Sequence, residues 1–351
     1  MIDFRYHLVS IVAVFLALAI GIVLGSTALQ GSTIDFLRKT SDSLQSQLNA
    51  ANSDRHTFEQ AMNADDAFIQ TAEPKLLSGM LTGEKIVLVT EPGAPSSVID
   101  GIQKATSLAG GAITGTVALQ PKFNDMSGTT RSNLAQLNSL ASNYGIAFDP
   151  AADIQTSYQQ NAAQVIAAAV LQNSTIVPGL AAADAQTLLK GYAQDGYLTF
   201  TGTPAAAPAD RASLAVIVTP QSNSTEDGPS NAADEVLLAV AGQFATASAA
   251  TVVAGPVMSS SQSSSPISVL RNSSVSGQVS SVDNADTRAG QISTIWALAN
   301  QLQGEKPNSY GVSGANAVSP VPSPVPSVTT TPSSTPTPKG TGKVSKTVKS
   351  K

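Results

Sequence analysis

Four hydropathy patterns follow one another along the chain. Residues 8–29, LVSIVAVFLALAIGIVLGSTAL, carry no charge and no polar face, which excludes an amphipathic surface helix. As a helix they span about 33 Å, matching a bilayer core of about 30 Å. Residues 33–73 follow with apolar positions at heptad spacing. Beyond Gly83 the pattern changes to short β-branched runs separated by helical stretches, and from Ser313 the chain is rich in proline, serine and threonine. The pattern predicts an α/β protein with a single N-terminal transmembrane helix and a coiled-coil stalk helix. A doubly wound, mostly parallel α/β domain and a disordered tail complete it.

The uncharged stretch has two readings. A signal peptide would use Ser26-Thr27-Ala28 as a small-residue cleavage site, but its apolar core is usually only ~7–15 residues. The longer stretch favours an uncleaved anchor. Arg5 and the terminal amine precede it, and the next charge is Asp35. The positive-inside rule then keeps residues 1–7 cytoplasmic and exports everything after about residue 30. The expected location is the cytoplasmic membrane, single-pass, with export to the outer envelope as the alternative. Gly21 and Gly25 form a GxxxG pair suited to membrane helix packing.

In the stalk, position a falls on Ile34, Ser41, Leu48, Arg55, Met62 and Ile69, and position d on Leu37, Leu44, Ala51, Phe58, Asp65 and Ala72. The seam for oligomerisation is then Ile34, Leu37, Leu44, Leu48, Phe58, Met62 and Ile69. Either a homo-oligomer or a hetero-complex fits it. The alternative is one amphipathic helix folding back on the domain that follows. Pro74 is expected to end the helix.

The domain, residues 84–304, is predicted to alternate strands at 85–90, 112–119, 197–201, 213–218 and 251–257 with helices. The helices fall near 96–108, 131–143, 158–171, 184–194, 231–244 and 287–302, with Ser96 or Ser97 as a cap for the first and 279–282 as an edge strand. Strands spaced by helices imply βα units, and continuously apolar strands imply a sheet covered on both faces. A transmembrane β-barrel needs alternation and aromatic girdles; aromatics are only 5% here.

Composition narrows the chemistry. The chain of 351 residues has no cysteine and only two histidines, His7 and His56, neither in the domain. Thiolate metal sites, thiol nucleophiles and a Ser-His-Asp triad within the domain are excluded. The loop 90–95, TEPGAP, lacks the GxGxxG spacing, and neither GxxxxGK[ST] nor GxSxG occurs. No catalytic residue, cofactor or metal site emerges, and no nucleic-acid partner. Soft copper ligands are scattered: besides Met1 they are Met62, Met80, Met126 and Met258, with no MxM or MxxM. Asp283, Asp286 and Arg288 form the densest charged cluster of the domain. They fit a cation or partner site, or a helix cap at Asp286 or Thr287. The net charge of −5 divides into +5 in residues 313–351, all from lysine, and −10 elsewhere. The lysines suit contact with anionic envelope polymers; a solubilising tail is the plainer reading.

MIDFRYHLVSIVAVFLALAIGIVLGS at the start, SSVDNADTRAG in the domain and WALANQLQG…SYGV near its end resemble the actinobacterial MctB family over about residues 1–312. The family is named for a mycobacterial copper transport protein and includes SteB, a corynebacterial cell-separation factor. The resemblance implies copper efflux or copper homeostasis at the envelope, with an outer-membrane channel proposed for the family. Alternatively it implies pairing with a SteA-like membrane partner to regulate cell-wall hydrolysis during cell separation. It supplies no metal-ligand motif for residues of this chain.

Overall fold

A computed structural model describes residues 4–148, 157–172, 180–222, 232–258 and 264–313, with the side chains of residues 26–34 outside the description. Of the expected tail, residues 313–351, all but Ser313 also lies outside it.

Helix α1 runs without interruption from Phe4 to Leu77, so the apolar span and the stalk are one element. Its stretch Arg5–Gly25 is long and apolar enough to cross a membrane, with mean hydropathy 2.9 and none of it buried against the rest of the chain. Pro74 does not end the helix; α1 continues one turn further, to Leu77. Proline removes one amide from the ladder, but Ser78 N still donates to Pro74 O at 3.1 Å. Glu73 and Leu77 are buried, so packing on the body holds this turn in place.

The body is one seven-stranded sheet in the order β3-β2-β1-β4-β5-β6-β7. The strands are β1 Lys85–Thr90, β2 Ala112–Leu119, β3 Leu198–Gly202, β4 Leu214–Val218, β5 Ala250–Ala254, β6 Ser280–Val282 and β7 Ser309–Tyr310. All pairings are parallel except β2–β3. The central strands β1, β4 and β5 are buried on both faces, as their continuous Val/Ile/Leu/Ala runs require. The strand expected at the sheet edge, 279–282, is internal, because β7 pairs outside it. A two-residue strand leaves no hydropathy pattern to read.

The helices α2 Ser96–Leu108 and α8 Arg288–Leu302 cover one face, together with the end of α1. The other face carries α3 Gly128–Ser142, α4 Ser157–Val170, α5 Ala182–Gln194, α6 Ala232–Ala247 and α7 Pro266–Arg271. Helix α7 had no counterpart in the hydropathy pattern; it is a six-residue element started by a capping box at Ser265. The N-cap of α2 is Pro95, without a side-chain hydrogen bond, not Ser96 or Ser97.

Candidate functional site: the stalk seam and its attachment to the body

Helix α1 presents one apolar face to two different surroundings. Leu37, Leu44, Leu48, Phe58 and Met62 stand 55–68% exposed, and a shallow groove lined by Leu37, Ser41, Leu44 and Leu48 follows this stripe. Ile34 lies on the same helix with its side chain outside the description. One heptad beyond Met62, Ile69 packs against the buried cluster of α2 and α8, and Leu77 is fully buried. The stripe is therefore covered by the body at its end and, among the described residues, exposed before that. The last turns of α1 fold against the body, and the turns from Leu37 to Met62 are exposed.

Two sets of polar contacts join α1 to α8. Arg288 Nε donates to Asp66 Oδ2 at 2.9 Å, and its Nη1 lies 3.4 Å from Glu73 Oε2. The buried Glu73 carboxylate also faces Lys104 Nζ of α2 at 3.7 Å. Further along, Trp296 Nε1 donates to Leu76 O at 3.1 Å. The contacts advance together, from Asp66 to Leu76 on α1 and from Arg288 to Trp296 on α8, so the helices run in the same direction. Since α8 begins just after β6, its start lies at the C-terminal edge of the sheet. The incoming stalk thus meets that edge first, and the strand-end loops face the apolar N-terminal end of α1. The rise per residue puts about 60 Å of helix between Gly25 and Asp66.

The charged cluster of SVDNADTRAG is not brought together; each of its three members has its own partners. Asp283 pairs with Arg271 at 2.8 Å and accepts from Val312 N and Ser313 N, anchoring the end of the body. Gly311, at φ +120°, passes so close to Asp283 that a β-carbon there would collide with the carboxylate. Asp286 accepts from Val257 N at 3.0 Å. Arg288 holds the stalk. Capping falls to Thr287, whose hydroxyl accepts from Gly290 N, and not to Asp286. Gly21 and Gly25 sit on α1 with open space where a β-carbon would stand.

The sheet order changes direction between β1 and β4, the point where open α/β sheets form a crevice at their C-terminal edge. Glu91 lies there, one residue past β1, its amide donating to Val218 O of β4 at 2.9 Å. The side chain is buried, and Oε2 has no hydrogen-bond partner. Burial, and then the neighbouring Asp234 in the first turn of α6, hold the Glu91 carboxyl well above the usual carboxylate range. The sequence drew attention to the loop 90–95 only for its lack of phosphate-binding glycines; nothing in its spacing marks Glu91 as buried. Among the described residues no group of three or more His, Asp or Glu side chains could hold a metal ion. Met62 is exposed on the stalk, whereas Met80, Met126 and Met258 are half-buried in separate loops.

A family model described as "Copper transport outer membrane protein, MctB" matches residues 1–322. Proteins named copper transporter MctB from Mycobacterium tuberculosis and Mycobacterium bovis are 27% identical over 326 residues, covering 91% of this chain and 98% of theirs. The similarly named protein of Mycobacterium leprae is 27% identical over 328 residues, covering 91% and 99%. The match takes in the apolar span, the stalk and the whole α/β body, and on that extent the chain belongs to the MctB family.

Proposed function

We propose that this protein is a single-span envelope protein that supports copper efflux or copper homeostasis as an anchored interaction partner, acting neither as a pore nor as an enzyme. The copper-related part rests on the names of its relatives. The observation that carries the interaction part is the apolar stripe of α1, exposed from Leu37 to Met62 and covered by the body from Ile69. A face of that composition is stabilised by a second helix. One membrane helix cannot line a pore alone, and an α/β body covered on both faces is no membrane barrel. In this reading the N-terminus is inside, the stalk and body are exported, and Gly21 and Gly25 provide a packing surface within the bilayer.

The same exposed stripe favours a second reading. Here the stalk engages a SteA-like membrane protein, and the body regulates cell-wall hydrolysis during cell separation. A deletion strain separates the two. Copper accumulation and copper sensitivity in normally dividing cells support the first. Chained, unseparated cells with ordinary copper content overturn it in favour of the second.

A further inference from the structure

The described part of the body ends in a clamp. Just past β6, Asp283 accepts from the amides of Val312 and Ser313 at 2.7 and 2.9 Å. Arg271, paired with Asp283 at 2.8 Å, donates to Tyr310 O at 2.7 Å and to Ser313 O at 2.5 Å. The two side chains of this pair are only 12% and 5% exposed, and a pair so placed is costly to break. The point at which the chain leaves the body is therefore fixed. It lies at the C-terminal edge of the sheet, since β7 runs parallel to β6 and Asp283 directly follows β6. The same edge holds the start of α8, where Arg288 binds Asp66 of α1. Ser313 thus departs at about the level of Asp66, on the side from which α1 extends to its apolar stretch Arg5–Gly25.

The sequence beyond that point has a two-part charge pattern. Residues 314–338 carry no charge, whereas residues 339–351 hold Lys339, Lys343, Lys346, Lys349 and Lys351 and no acid. The helix between Gly25 and Asp66 measures about 60 Å. The chain from Ser313 to Lys339 reaches at most about 85–95 Å, enough to bring the lysines back to the level of Gly25. A spacer of half that length would fall short. Clustered lysines without acids are attracted to anionic lipid surfaces. We propose that residues 339–351 bind the anionic lipid headgroups of the membrane that α1 crosses, giving the body a second attachment beside the stalk. A fixed exit and a spacer of this length serve a target at a set distance on one side of the body. A wall polymer surrounding the body would require neither. The proposal rests on the single-span reading, but not on which side of the membrane the body lies, because stalk and tail leave the same edge.

The chain has no cysteine, so Ser345→Cys creates a single labelling site among the lysines. The full-length protein, carrying a fluorophore there, is reconstituted into phosphatidylcholine vesicles with or without phosphatidylglycerol. A trace of lipid with a spin-labelled headgroup quenches the fluorophore only on contact. Quenching should be strong in the anionic vesicles, and severalfold weaker in neutral ones or when salt is raised. Replacing all five lysines by glutamine should abolish it. Deleting residues 315–328 should abolish it too: every lysine is kept, but only about 40 Å of chain remains between Ser313 and Lys339. Absence of quenching in anionic vesicles overturns the proposal, whether the lysines then rest on the acidic body or on nothing. Equal quenching in neutral vesicles, or in the shortened variant, also overturns it. Flotation of the same vesicles tests the anchor separately. Protein that floats without quenching leaves the single-span reading standing and refutes only the lipid contact, whereas protein that does not float refutes both.

Discussion

Arg211 and Arg288 show how differently two arginines of one chain are used. Arg211 is buried and, among the described residues, has no acidic partner; its guanidinium donates to Ala206 O, Ala168 O and Leu180 O at 3.0, 3.3 and 2.6 Å. Arg211→Met removes the donor from three carbonyls at once and is expected to destabilise the body by about 3 kcal/mol or more, measured by chemical denaturation. Arg288 is half-buried and bridges Asp66 to the buried Glu73. Arg288→Ala should cost on the order of 1–3 kcal/mol, because Glu73 keeps only the more distant Lys104. Its signature should be local: proteolysis between the stalk and the body should increase before the sheet unfolds. Asp125 supplies the pH dependence. Hydrogen bonds from Thr130 and Ser127 hold its carboxyl below the usual aspartate range. A lowered folded value contributes stability above the unfolded value of about 3.9, and that contribution disappears as pH falls through the folded one. Amide exchange at the start of α3 should therefore accelerate in acid, and Asp125→Asn should remove this dependence. Of these residues only Arg288 stood out in the sequence, as a member of a charged cluster. Its partners lie more than 200 positions away, at Asp66 and Glu73, and local spacing carries no trace of them.

At the scale of elements, hydropathy located the strands and helices of the body closely. It fell short where an element is too short to show a period, as in β7 and α7, or where tertiary packing prevails over a local breaker, as at Pro74. The stalk is the element whose surroundings matter most. If a second helix covers the stripe, Leu44→Asp combined with Leu48→Asp should abolish association while leaving α1 attached to the body. Each leucine withdrawn from an apolar seam costs about 1.5–3 kcal/mol per chain. Sedimentation of the detergent-solubilised protein at fixed concentration measures the outcome. An unchanged oligomeric state in the double variant would show that the stripe serves some other partner.

For the whole molecule, the continuity of α1 means that the apolar N-terminal stretch, the exposed stripe and the attachment to the body share one helical phase. Inserting seven residues near residue 45 lengthens the stalk by about 10 Å and nearly preserves that phase. Inserting two residues adds only about 3 Å but turns the body by about 200° relative to the seam. If the body must face a partner in a defined direction, the two-residue insertion should impair function in the deletion strain more than the seven-residue one. The apolar span, the heptad spacing that follows it, the parallel α/β class and the lack of cysteine and histidine in the body could all be read from the chain before any fold was known. These follow from local periodicity and composition, which need no knowledge of distant contacts. Three findings emerge from the folded chain alone: the stalk meets the C-terminal edge of the sheet, Asp283, Asp286 and Arg288 have separate tasks, and Glu91 lies buried at the end of β1. Each of these depends on which strands become neighbours, and that is set by the packing of segments far apart in the chain.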